Sequence, residues 1–90
     1  MKGIEMDMKL AVSRAGHDKD SIYVIVKEEA NMVYLADGKY KPLEKPKRKN
    51  KKHIQVIKKL PKEITEVFKQ ENFRNEEVKR VIKLYQNHIL

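Results

Sequence analysis

Two short stretches, Ile22 to Val26 ("IYVIV") and Met32 to Leu35 ("MVYL"), put large apolar side chains on both faces of any strand they form. Side chains alternate along a strand, so Ile22, Val24 and Val26 point one way and Tyr23 and Ile25 the other. In the second stretch Met32 and Tyr34 oppose Val33 and Leu35. A sheet that is apolar on both faces needs a cover on each. The chain has 90 residues, which suit one small domain without room for a second independent core. Such a chain buries roughly 60–65% of its unfolded surface, which leaves a modest stability margin.

The segments around these strands supply the candidates. Met8, Leu10 and Val12 alternate with Lys9, Ala11 and Ser13, which predicts an earlier strand. "RAGHDKD" follows as a loop, with Gly16 free to take a positive φ. Asp37-Gly38 reads as a two-residue hairpin turn leading into "YKPLE", a short edge strand where Pro42, lacking an N–H, is tolerated. Lys45 to His53, "KPKRKNKKH", is almost without apolar content and predicts an exposed connector. "IQVIKKL" then fits either a fifth strand or the start of a helix. After Pro61 the period changes, with Ile64, Val67 and Phe68 at helical spacing. Asn75 is the expected cap of a second helix whose first turn carries Glu76 and Glu77. Val78, Val81, Ile82, Tyr85 and Ile89 line one face of that helix, with Lys79, Arg80 and Lys83 facing away.

Docking this stripe on the outer face of the strands satisfies both. The expected class is mainly β plus α. It is a small SH3-like β-barrel over residues 1–60, including the basic connector 45–53, with a helical C-terminal extension over 61–90 packed on it. Other small α+β folds fit the periodicity as well.

Charge is concentrated in one place. Residues 1–38 sum to −2, residues 63–90 to zero, and residues 39–62 to +10, which accounts for the net +8 of the whole chain. A basic block on a near-neutral domain points to an anionic partner, RNA first; the plain alternative is a solvated linker that binds nothing. Lys45, Lys47, Arg48, Lys49, Lys51 and Lys52 fall within nine residues, a density suited to neutralising phosphates without reading sequence. Lys39 and Lys41 flank Tyr40, the one plausible exposed stacking ring; Tyr23, Tyr34 and Tyr85 read as core.

Other classes find little here. The chain has no cysteine, so it has neither a disulfide framework nor a cysteine zinc site, in keeping with a reducing cytoplasm. Glu5 and Asp7 stand where a signal peptide needs an apolar core, and no run approaches the ~20 apolar residues of a membrane span. His17, His53 and His88 are scattered without metal-ligand spacing, Gly16 forms no phosphate-cradling loop, and neither Ser13 nor Ser21 carries a nucleophile signature. No catalytic residue, metal or cofactor is expected.

The residues then become recognisable. "AVSRAGHDKDSIYVIV" resembles a KOW motif: a strand, a glycine-bearing basic loop and an apolar strand. "MVYLADGKYKPLEKPKRKNKKH" is similar to the end of the domain in short bacterial KOW-domain proteins related to the fourteen-e family of large-subunit ribosomal proteins. "FRNEEVKRVIKLY" looks like the ending of some bacterial members. The resemblance covers about residues 8–53 and implies an SH3-like barrel that binds RNA, often ribosomal RNA. It also implies that the first inter-strand loop meets the RNA. Two departures stand out: Met8 and Asp20 occupy positions where that family often has glycine.

The expected RNA-binding residues are therefore Arg14, Gly16, His17, Asp18 and Lys19 in the loop, then Lys39, and Lys45, Lys47, Arg48, Lys49, Lys51, Lys52 and His53 in the connector. Arg14 can bind phosphate through two parallel hydrogen bonds, and Lys19 acts as a mobile point charge. In the plain reading of the loop, Asp18 and Asp20 neutralise Lys19 and Arg14. The runner-up function is a KOW-type protein-interaction module contacting a ribosomal protein or RNA polymerase. A polybasic membrane-surface role is weaker, because no helix pairs a basic face with a bulky inserting one. The chain is expected to act as a monomer.

Overall fold

The computed structural model describes residues 8–88. Strands β1 (Lys9–Ser13), β2 (Ile22–Glu28), β3 (Met32–Ala36) and β4 (Lys47–Asn50) form an antiparallel meander. A 3-10 turn (Lys51–His53) leads to β5 (Ile54–Ile57), which returns to pair with β1. The sheet order is β4-β3-β2-β1-β5, and the sheet curves into a half-barrel. Helices α1 (Lys62–Phe68) and α2 (Asn75–His88) follow.

The two-faced apolar pattern of β2 dictates the layers. Tyr23 and Ile25 join Ala11, Val33 and Leu35 on the inner face, with Ile54 and Val56 packed against them. Val24 joins Leu10 and Ala36 on the outer face, where Ile64 and Val67 of α1 and Val78 and Val81 of α2 cover it. Ile22 and Val26 pack beside that second cluster, as the alternation predicts. The register of β2 against β3 shifts between Ile25 and Lys27; such a bulge bends and twists a strand, which helps the sheet curl over its inner face.

Three local expectations are corrected. First, no strand forms over residues 40–44; β4 forms instead in the segment expected to be an exposed connector. Lys47 and Lys49 stand opposite Leu35 and Val33 of β3, so both lysine stems lie on the inner face. An edge strand needs backbone partners on one side only, and lysine stems can cover apolar neighbours while the ammonium seeks a polar one. Second, Asp37-Gly38 is not a two-residue hairpin. It opens a ten-residue connection in which the N–H groups of Asp37 and Gly38 both donate to Lys41 O, at 2.9 and 3.2 Å. Third, Asn75 is the first residue of α2 rather than its cap. Glu77 Oε1 accepts the Arg74 N–H at 2.8 Å, while Asn75 Oδ1 accepts the Leu43 N–H at 2.8 Å and ties the connection to the helix. "IQVI" resolves as strand β5. The acidic start (Glu5, Asp7) and Ile89 of the apolar stripe lie outside the described residues.

At Gly38 the connection after β3 lies directly against α2. The φ of Gly38 is +81°, and a Cβ there would sit 2.5 Å from the backbone oxygen of Asn75 and 2.9 Å from Lys79 Cγ. Gly38→Ala should therefore cost about 2 kcal/mol and lower the thermal midpoint by about 8–16 °C. An unchanged midpoint would show that α2 is not seated against this turn.

Candidate functional site

The bend between β1 and β2 closes on itself. Asp20 N–H donates to Ser13 O at 2.8 Å, Ser21 N–H to Asp18 O at 2.9 Å and Lys19 N–H to Gly16 O at 3.2 Å. Two residues take the left-handed backbone, Gly16 at φ +90° and Asp20 at φ +75°. Aspartate tolerates this region better than most side chains, at some strain.

Asp18 turns inward from this bend. Its Oδ1 accepts from Ser13 Oγ at 2.9 Å and Lys49 Nζ at 2.7 Å; its Oδ2 accepts from Tyr23 Oη at 2.8 Å and Lys47 Nζ at 2.9 Å. Two donors per oxygen use the carboxylate's acceptor capacity. Lys49 Nζ also donates to Ala15 O at 2.9 Å, which fastens the bend to β4 a second time. The Asp18 side chain is 13% exposed and that of Lys49 10%, so solvent screens this pair poorly. Burial pushes the Asp18 carboxyl up, but hydrogen bonds from Lys49, Lys47, Tyr23 and Ser13 outweigh it and hold the group well below the usual carboxylate range. Burial, then the neighbouring Asp18 carboxylate, pushes the Tyr23 phenol above its ordinary value, so it stays a donor.

This hub sorts the expected site residues into groups. Arg14, Gly16, His17, Asp18 and Lys19 come together with Lys47 and Lys49, and the Arg14 N–H donates to His53 O at 2.7 Å, which brings Lys52 and His53 alongside. Arg14, His17, Lys19 and Lys52 are exposed. Lys47, Lys49 and Asp18 are engaged with one another, and Lys51 pairs with Glu28 at 3.5 Å near the β2–β3 turn. Arg48 faces away from Lys47 and Lys49, by strand alternation. Lys45 is exposed in the connection before β4, and Lys39 lies elsewhere, beside Tyr40 and α2. Among the described residues Arg14, Lys19, Lys45, Arg48 and Lys52 form no ion pair.

Sequence reading overlooked Ser13 and Tyr23 as partners of Asp18. The available signal was the spacing of Lys47 and Lys49, two apart and so on one face if the segment is a strand. Among the described residues no group of three or more His, Asp or Glu side chains is placed to hold a metal ion, and no helix is long and apolar enough to cross a membrane. No protein-family model matches the chain, and no curated protein matches it.

Replacing Asp18 leaves Lys49 enclosed without its counter-charge, so Asp18→Ala should cost about 3–5 kcal/mol at pH 7 by urea unfolding. The pH dependence has a definite sign. The folded carboxyl titrates below its unfolded value of about 3.9, so its contribution is complete above that value. It drains away as pH falls toward the folded pKa, because the unfolded chain takes up the proton first. The wild type should thus lose stability between about pH 5 and 2, and Asp18→Asn should show a flatter profile there. Equal slopes for the two proteins would rule out the hub as the acid-sensitive group.

Proposed function

We propose that the chain is an RNA-binding protein of the SH3-like, KOW type, acting on ribosomal RNA or at the ribosome in the cytoplasm. The observation that carries this reading is the fastening of the β1–β2 bend to the lysine-rich β4 by Asp18, which joins cations from distant parts of the sequence. Arg14, Lys19 and Lys52 lie in the segments so joined and form no ion pair among the described residues, beside a bend whose glycine lets a backbone approach closely. Two features support the finer fold assignment. The fifth strand returns to the first through a single 3-10 turn, an order that suits a small SH3-like barrel. The bend is also left-handed at both Gly16 and Asp20, the second being a position where the KOW pattern favours glycine. The contacts are expected to follow charge and shape rather than base edges.

The five cations of the bend and of residues 45–53 that form no ion pair among the described residues, Arg14, Lys19, Lys45, Arg48 and Lys52, predict a salt dependence. At about 0.7 per neutralised phosphate on single strands, log K should fall with log salt at a slope near −3.5. The triple variant Arg14→Ala/Lys19→Ala/Lys52→Ala should bind stem-loop ribosomal RNA more weakly, with the slope reduced by about 2 and the unfolding midpoint retained. Ribosome co-sedimentation from lysate should be lost after ribonuclease treatment. A salt-independent affinity, or co-sedimentation that survives ribonuclease, would contradict the reading and favour a protein partner.

A further inference from the structure

Among the described residues Tyr40 is the one large apolar side chain that is exposed, at 74%. A lone exposed ring is ordinary; its seat and surroundings are not. Asp37 Oδ1 accepts the N–H groups of Lys39 and Lys41 at 2.9 and 2.8 Å, closing a tight bend with Tyr40 at its tip. Gly38 on one side is pressed against the Asn75 backbone, and Leu43 on the other is hydrogen-bonded to Asn75 Oδ1. The bend is thus clamped to α2 on both flanks of the ring.

Between this bend and α2 lies a hollow of about 360 Å³, lined in part by Lys39, Tyr40, Lys79, Ile82 and Lys83. Lys39 Nζ stands 5.0 Å from the Tyr40 ring centroid. Lys83 forms no ion pair among the described residues, and Lys79 shares only a 3.5 Å contact with Glu76, whose side chain is 80% exposed. Such an exposed pair yields readily to a stronger anion. The one carboxylate in the lining belongs to Asp37, whose Oδ1 already accepts from two backbone N–H groups, and three lysines outnumber it. The hollow therefore offers the Tyr40 ring, with Lys39 over one of its faces, the Ile82 side chain and an excess of ammonium groups.

We propose that this hollow takes an unpaired nucleotide of RNA, its base stacked on Tyr40 over Ile82 and its phosphate against Lys79 and Lys83. The proposal rests on the RNA reading above and adds a preference for unpaired regions to it. A base inside a duplex has no free face to offer, whereas an unstacked base does. Carboxylate side chains of an acidic peptide would satisfy the lysines but leave the ring unused. The polar face of α2 thereby becomes a contact surface instead of a solvated one.

The test measures dissociation constants at one fixed salt concentration for two RNAs sharing a stem, a hairpin with an unpaired loop and the blunt duplex. Tyr40→Ala should weaken the hairpin about 5- to 100-fold and leave the duplex unchanged, while Tyr40→Phe retains hairpin binding. Lys79→Ala/Lys83→Ala should weaken the hairpin and reduce its salt slope by about 1.4. These side chains are exposed, so the unfolding midpoint should not move in any variant. If the wild type binds both RNAs and Tyr40→Ala leaves hairpin affinity unchanged, the nucleotide site is overturned and the electrostatic reading stands. If the wild type binds neither RNA, both are overturned. A poly-glutamate peptide bound with the same dependence on Tyr40 would reassign the hollow to an acidic protein and overturn the nucleotide.

Discussion

Asp18 carries a negative charge into a site where only 13% of its side chain meets solvent, and two ammonium groups, a phenol and a hydroxyl converge on it. Much follows from that arrangement. β4 is a strand of Lys, Arg, Lys and Asn, with no apolar side chain to bury. It can lie along β3 with Lys47 and Lys49 turned inward because one carboxylate accepts from both ammonium groups and offsets the more enclosed charge, that of Lys49. Without that anion, the inward lysines would favour leaving the sheet, and the half-barrel would lose an edge. The same contacts hold the β1–β2 bend against β4, so one interaction positions two elements that are distant in sequence.

The hub also divides the basic residues by role. Charge counted along the sequence treats all six Lys and Arg of residues 45–53 alike. In the folded chain Lys47, Lys49 and Lys51 meet carboxylates, whereas Lys45, Arg48 and Lys52 meet none among the described residues. Exposed ion pairs such as Lys51 with Glu28 contribute little and can be exchanged for a phosphate. The enclosed pair of Lys49 with Asp18 cannot be exchanged so readily. Replacing every lysine of the segment together would mix loss of fold with loss of binding, and only the unpaired cations report on the surface itself.

The strands and helices with strong hydrophobic period were legible in the sequence. Val24 and Tyr23 fall on opposite faces of β2 as alternation requires, and Val78 and Val81 are buried as the helical stripe requires. β4 was illegible because hydropathy sees only charge in "KRKN"; its strand conformation comes from backbone pairing with β3 and from a carboxylate about thirty residues earlier. Asn75 looked like a helix cap because its side chain suits that task, yet the Leu43 N–H claims it. For the candidate site, the cluster of Arg14, Gly16, Asp18 and Lys19 could be read from its composition. That Asp18 faces inward, with Ser13 and Tyr23 as partners, could not, since it depends on which face of a curved sheet the bend folds over.

The most direct test of the hub is a double-mutant cycle between Asp18 and Lys49, with Asp18→Asn and Lys49→Met measured singly and together by urea unfolding at pH 7. Removing Asp18 alone strands the enclosed Lys49, whereas removing both leaves only the more exposed Lys47 without its partner. The two changes should therefore be far from additive, with a coupling of about 2–3 kcal/mol and a double variant more stable than Asp18→Asn alone. Additivity within about 0.5 kcal/mol would mean that the carboxylate and the ammonium do not meet in solution, and that β4 and the bend are held by something else.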